Sequence, residues 1–438
     1  MSKGLFNKHS FSELALLAIF AVGLFSANLI VKQRSFVRVG PPVILPGAGV
    51  TVHLPDEPGW QGLTEWQYEM NNCFVIVARR NRPVIEVQWR YCLTAPAKSN
   101  REILELIAKQ SNGQLQDLTT LSVPCPMQFA HLVSPKAEED RFVGVAMLDF
   151  GRVLILEVRA AEDVFYGRDV FISLAQTLEY KLPSELTAGI ELLENAQRFG
   201  ADKFFPSEEG QTLLVRDAAR SIRGYERTQI KQDSEGNLRI DKTTVVNTAA
   251  IRRKEQTFES ANPFRGFRWQ NRYSGLSGQG SVFLLELSNG MLTVREPAGQ
   301  SRTLEPGPSA VSEMLLDGLI PFFLDSGQPK IVLDIISPEG RITPAIIEAI
   351  STSDSTAKAD ELAHAVRVNL IQGGKMEFYY AADKKLLGKL TTAGRGGALL
   401  WEPSTRQEID KYFDTRPQRS GPVVWQGGTA LLRSVEHQ

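Results

Sequence analysis

CFVIVARRNRPVIEVQWRYC, residues 73–92, reads as two strands folded about a turn. Phe74, Ile76 and Ala78 alternate on the way out, Ile85, Val87, Trp89 and Tyr91 alternate on the way back, and Asn81-Arg82-Pro83 breaks the pattern between them. Setting Arg79 opposite Glu86 places Ala78 opposite Val87, Ile76 opposite Trp89 and Phe74 opposite Tyr91, so one register satisfies charge and apolar pairing together. In that register Cys73 meets Cys92. A cross-strand disulfide is then geometrically open and would imply an oxidising compartment; the alternative is two unpaired thiols on neighbouring strands. The third cysteine, Cys125, lies between Pro124 and Pro126 and reads as a loop residue.

The same alternation extends outward from the hairpin. Val50 to Leu54 forms a short strand, and Ser99 with Glu102 makes a capping box for a helix carrying Ile103, Leu104 and Ile107 on one face, ended by Asn112-Gly113. Phe142 to Asp149 and Val153 to Arg159 pair about Phe150-Gly151, and a helix from Val164 to Leu178 presents Phe171, Leu174 and Leu178 at helical spacing. An antiparallel sheet with helices laid against it follows. The order GVTVHLPDEPGW, CFVIVARR, VIEVQWR, SNREILELIAKQ, FVGVAMLDFGRVLILEVRA, FISLAQTLEY resembles the PsbP-like α/β/α sandwich over residues 47–180, with Pro55, Pro58, Gly59 and Trp60 as its most specific string. That resemblance implies a binding or assembly module and transfers no site residue.

Residues 183–206 read as a helical connector, Leu186 to Phe199 closed by Gly200. Beyond it, strand-like runs dominate from Tyr225 to Trp401, among them Leu238 to Ile251, joined by tight turns such as Ser288-Asn289-Gly290, which predicts an antiparallel meander. One stretch departs from the pattern. Pro308 to Leu324 predicts a helix broken near Gly318 and Pro321, and its Val311, Leu315, Leu316, Leu319, Ile320, Phe322 and Phe323 need a surface to cover them. A curved sheet wrapping an apolar helix resembles the LolA-like lipoprotein-carrier half-barrel over residues 207–415. The likeness implies an apolar ligand or lipidated partner held near Leu315, Leu316, Leu319, Phe322 and Phe323. The alternative is a filled core with no cavity, which is the ordinary state of a packed interior. Residues 416–438 form a C-terminal tail.

Leu14 to Val31 contains eighteen consecutive residues without a charge, preceded by Ser10 and Glu13 as a capping box. This length predicts a transmembrane helix, a signal anchor within residues 1–38, in place of a cleaved signal peptide with its shorter apolar run. With two large domains behind it, the expectation is a single-pass membrane protein whose C-terminal domains are extracytoplasmic, periplasmic or in the cell envelope. The expected fold class is therefore α+β: an N-terminal transmembrane helix, an antiparallel α/β/α sandwich domain over 47–182, and a mostly β domain with a curved sheet packed on an apolar helix.

Composition excludes some functions. Residues 39–181 carry 13 Lys/Arg against 17 Asp/Glu and residues 182–438 carry 31 against 32, so neither domain has the basic footprint of a nucleic-acid partner. The five histidines are scattered and no Cys-x-x-Cys occurs, which gives no metal site. Glu138-Glu139-Asp140 reads as a solvated turn, Gly394-Arg395-Gly396-Gly397 as a hairpin turn, and Ser274 to Gly280 as a flexible turn, since Gln279 stands where a nucleophile elbow needs glycine. Arg252-Arg253-Lys254 reads as the charged edge of a strand. No catalytic residue and no cofactor are assigned. The sequence thus predicts a non-enzymatic, membrane-anchored binding or scaffolding protein, with a purely structural interaction protein as the alternative and a hydrolase behind both.

Overall fold

The computed structural model describes Phe20 and residues 37–413, except 70–71, 134–138, 200, 205–209, 248–250, 276–279, 355–360, 372–373 and 393–396. The chain is mostly β. Among the described residues three sheets of three, eight and fifteen strands carry the architecture, and the longer helices are Asn100–Gln110, Val164–Gln176, Ser184–Ala196 and Leu316–Asp325. This corrects the α+β expectation. Short turns between alternating runs leave most strands next to a sequence neighbour, so the backbone is satisfied strand to strand and helices only cover faces. The signal anchor is corrected as well: among the described residues no helix is long and apolar enough to cross a membrane. The longest have 13 residues and bury only one stripe, where a span needs about 20 apolar residues. Residues 14–31, on which the anchor rests, lie outside the described residues apart from Phe20, so nothing in the structure supports the single-pass localisation built on them. The tail 416–438 is outside the described residues too.

The first unit is built on the opening hairpin. Cys73–Asn81 and Val84–Cys92 pair with Arg79 opposite Glu86, Ile76 opposite Trp89 and Cys73 opposite Cys92. The two sulfurs are bonded, with the Cα atoms 4.0 Å apart. Val153–Ala160, Asp140–Met147, Met127–Val133 and Gln114–Leu121 continue the sheet beyond Val84–Cys92. Helix Asn100–Gln110, capped by Ser99, lays Ile103, Leu104 and Ala108 on one face against Val143, Val145 and the disulfide. Helix Val164–Gln176 covers the other face with Val170, Phe171 and Leu174, in the same core as Trp89, Phe129 and Phe142.

In the second unit the strands form two antiparallel meanders that run away from a central pair. Thr212–Asp217 sits in the middle of the fifteen-strand sheet, bonded to both Ile222–Gln232 and the last strand, Ala398–Pro403. The edges are Ser301–Leu304 on one arm and Ala310–Ser312 on the other. Only Glu305 to Ser309 joins them. Laid flat, fifteen strands would hold their edges roughly 70 Å apart, whereas the chain from Leu304 to Ala310 reaches roughly 20 Å. The sheet must curl into an open barrel. Ala310–Ser312 then runs parallel to Lys330–Ile336, a pairing that needs a crossover, and Leu316–Asp325 is that crossover. Strand Ile251–Asn262, bonded on both sides by Leu238–Asn247 and Gly266–Ser274, contains Arg252-Arg253-Lys254. Those residues therefore lie inside the sheet, not at an edge, and the run expected from Leu238 to Ile251 ends at Asn247.

The two units share one apolar core, in which Trp89, Tyr91 and Phe171 of the first belong with Phe258, Trp269 and Phe323 of the second. The seam holds charge. Arg152, 2 % exposed, donates to Asp334 Oδ2 at 2.7 Å, to Ser309 Oγ at 3.3 Å and to the Tyr91 hydroxyl at 3.0 Å. The turn before it has positive φ at Phe150 (60°) and Gly151 (72°) and sends the guanidinium across the seam. Asn72 Oδ1 accepts the Ile342 amide at 2.8 Å. Helix Ser184–Ala196 packs on strand Lys330–Ile336, and at Gly189 a Cβ would lie 2.2 Å from the Val332 carbonyl oxygen, so only glycine allows this approach.

Two outcomes follow for stability. Replacing Cys73 and Cys92 together by serine should cost about 2–4 kcal/mol in urea unfolding, since the bond closes a 19-residue separation; wild type and variant should converge when both are unfolded in strong reductant. Arg152→Met should cost about 3–5 kcal/mol by leaving Asp334 charged and buried, and the pair Arg152→Met with Asp334→Leu should recover most of that loss. Equal stability of the single and double variants would show that the seam does not depend on this pairing.

Candidate functional site

The crossover helix presents two chemistries. Leu316, Leu319, Ile320 and Phe323, with Leu315 just before them, are buried in the shared core. The other flank, carrying Asp317, Gly318, Pro321, Phe322 and Asp325, borders a cleft of about 530 Å³. Of the five residues expected to bind a ligand, the cleft takes Phe322, and Leu315, Leu316, Leu319 and Phe323 belong to the core instead. The expected break near Gly318 and Pro321 does not occur. The helix continues to Asp325 although Pro321 gives up one N–H, because its buried side is held on the sheet.

Strand alternation sets the opposite wall. Ile230 projects from Ile222–Gln232 and Ile240 from Leu238–Asn247, with Tyr380 and Leu386 beside them. Phe204 closes one side, edge-on to Phe322 with centroids 5.2 Å apart. Two residues beyond Ile240 on the same face stands Lys242, at the floor. Its Nζ lies 3.2 Å from Glu226 Oε1 and 3.3 Å from Asp317 Oδ2, and Lys389 Nζ reaches the same Glu226 oxygen at 2.7 Å. Thr244 donates to the other Glu226 oxygen at 3.2 Å.

This floor neutralises itself, two ammonium groups against two carboxylates. Burial alone would raise Glu226 and Asp317, but Lys242 and Lys389 reverse the effect and hold both below the usual carboxylate range. Burial likewise opposes charge on Lys242, and the carboxylates of Asp317 and Glu226 outweigh it and keep the ammonium above its ordinary value. Tyr380, 2 % exposed, lines the cleft and carries a buried hydroxyl. Burial, then the charge of Asp317, pushes it well above the ordinary tyrosine value, so it stays a neutral donor.

Sequence reasoning missed Glu226, Lys242, Asp317, Tyr380 and Lys389. The available signal was a charge at a core-facing position: Lys242 continues the Leu238, Ile240 alternation, and Asp317 interrupts an apolar helix. Two of the histidines serve the frame, His131 paired with Asp140 at 2.7 Å and His53 donating to the Gly40 carbonyl at 2.8 Å, while His9 and His437 lie outside the described residues. Among the described residues no three His, Cys, Asp or Glu side chains gather around a metal position. Glu138 and residues 276–279 and 393–396 lie outside the described residues.

No protein-family model matches the chain, so none supports the PsbP-like or LolA-like expectation. No curated protein matches it either. Among solved structures, the chain is similar to a β-barrel-like protein of a domain of unknown function, DUF1849, from Brucella abortus, at 9 % identity and a TM-score of 0.35, over 45 % of this chain and 95 % of that one.

The charge cluster has a definite pH signature. Carboxylates held low contribute stability that is complete above about pH 5 and lost as pH falls through their folded values, while a lysine held high contributes below about pH 10 and loses it above. Lys242→Met should cost about 3–5 kcal/mol at neutral pH. Because Asp317 and Glu226 then take up protons readily, the gap to wild type should narrow between about pH 6 and about pH 3, measured by urea unfolding across that range. A constant gap would separate Lys242 from the two carboxylates.

Proposed function

We propose that this protein is a non-catalytic binding protein whose cleft beside the crossover helix takes an apolar molecule. The observation that carries the reading is the cleft itself: about 530 Å³, walled by Phe204, Ile230, Ile240, Pro321, Phe322 and Leu386. That volume is in the range of small-molecule sites, about 300–1,000 Å³, and apolar walls with a few fixed polar groups are their usual lining. The floor supports binding over chemistry, since its lysines and carboxylates are committed to each other. Among the described residues no serine, cysteine or histidine lines the cleft, and its one threonine, Thr228, has no histidine beside it to act as a base. A filled interior accounts for Leu315, Leu316, Leu319 and Phe323 but leaves the outer flank of the helix unexplained.

Titration of the full chain with the neutral dye Nile red should give saturable fluorescence enhancement. Ile230→Trp, which enlarges a partly exposed wall residue, should weaken that binding about tenfold, near 1.4 kcal/mol. Absence of saturable binding to the native chain, or equal binding by Ile230→Trp, would remove the cleft as the site.

A further inference from the structure

The charges at the mouth of the cleft are less balanced than those at its floor. Four lysines, Lys203, Lys242, Lys384 and Lys385, line the cleft against three aspartates, Asp317, Asp325 and Asp383. Each aspartate has a local task. Asp317 holds Lys242, Asp325 is paired with Lys384, and Asp383 accepts the backbone amide of Lys385 at 3.0 Å. The lysines divide differently. Lys242 and Lys384 are neutralised by those carboxylates, whereas the ammonium groups of Lys203 and Lys385 form no ion pair among the described residues and outnumber the one remaining carboxylate, Asp383. Both are exposed, which puts them at the opening. Lys203 rests over the Phe199 ring at 4.2 Å, a contact that orients an ammonium without cancelling its charge.

From this arrangement, and resting on the apolar cleft just proposed, we infer that the ligand is a single-chain amphiphile with an anionic head. Its chain lies along Ile230, Ile240 and Phe322, and its carboxylate or phosphate head sits between Lys203 and Lys385 at the mouth. Insertion head first is disfavoured, because the floor already holds as many carboxylates as ammonium groups and Asp317 faces the Tyr380 hydroxyl region. The volume suits one chain.

The test is displacement of Nile red from the full chain, below micellar concentration, by palmitate, hexadecyl phosphate, hexadecanol and hexadecyltrimethylammonium. Two exposed charge contacts should give one or both anions about a threefold to tenfold advantage over hexadecanol, with the ammonium weakest, and added salt should shrink the advantage. Of the two anions, the tighter binder identifies the head. In the K203E/K385E double variant the anion-to-alcohol ratio should fall to one or below; a ratio taken on one protein is independent of the folded fraction. Equal displacement by anion, alcohol and ammonium, or an unchanged ratio in the double variant, would overturn the headgroup inference while leaving the apolar cleft standing. If dye binds and none of the four chains displaces it, the inference also fails. If the dye itself does not bind, the cleft reading fails first.

Discussion

Glu305 to Ser309 are a short tether between the two outermost strands of a very wide sheet, and much of the second unit follows from that shortness. Curling brings one face inward along its whole length. The chain re-enters the sheet parallel to its neighbour, so the connecting helix has to cross a face, and the concave face is where its apolar side can be buried. A ten-residue helix is about 15 Å long. It covers the part of the interior facing the first unit and leaves its other flank open, where the cleft lies.

An interior that a single helix cannot fill brings polar groups with it, and their placement follows electrostatic cost. An isolated buried charge is expensive, and a buried pair survives only with good geometry and further hydrogen bonds. Both buried sets here meet that condition in different ways. Arg152 and Asp334 add Ser309 and Tyr91 to their pair, and Glu226 shares one oxygen between two lysines while Thr244 holds the other. The first set fixes one unit against the other. The second fixes the crossover helix against the wall, through Asp317, and so sets the position of the cleft's floor.

Local pattern determined much that was legible in the sequence. The Cys73–Cys92 hairpin could be registered because four side-chain pairs agree at once, and the Ser99 cap could be read because its signature is contained within four residues. What escaped reading depends on distant partners. Arg252-Arg253-Lys254 looks like a polar edge because the inward face of its strand continues into a polar pair, Gln256 donating to Asn271 at 2.8 Å, before it reaches the apolar core at Phe258. The apolar side chains of the Pro308 to Leu324 stretch advertised burial, yet not which flank would face a cavity; that depends on where the wall stands. Lys330–Ile336, buried on nearly every residue, carried a usable signal in its lone Asp334, since a carboxylate in such a run requires a cation from elsewhere. The sequence could not say that Arg152, 182 positions earlier, would supply it.

The central pairing of Thr212–Asp217 with Ala398–Pro403 has a consequence for how the molecule is made. The first strand of the second unit acquires one neighbour almost as soon as it emerges during synthesis, but its other side stays open until nearly two hundred more residues have been added. Until then the growing meander presents a bare strand flank with Leu213 and Val215 exposed on it. Contacts of such long sequence separation form slowly, and a flank of this kind is a template for pairing with another chain. Maturation of this protein is therefore governed by protecting one early strand until its late partner arrives.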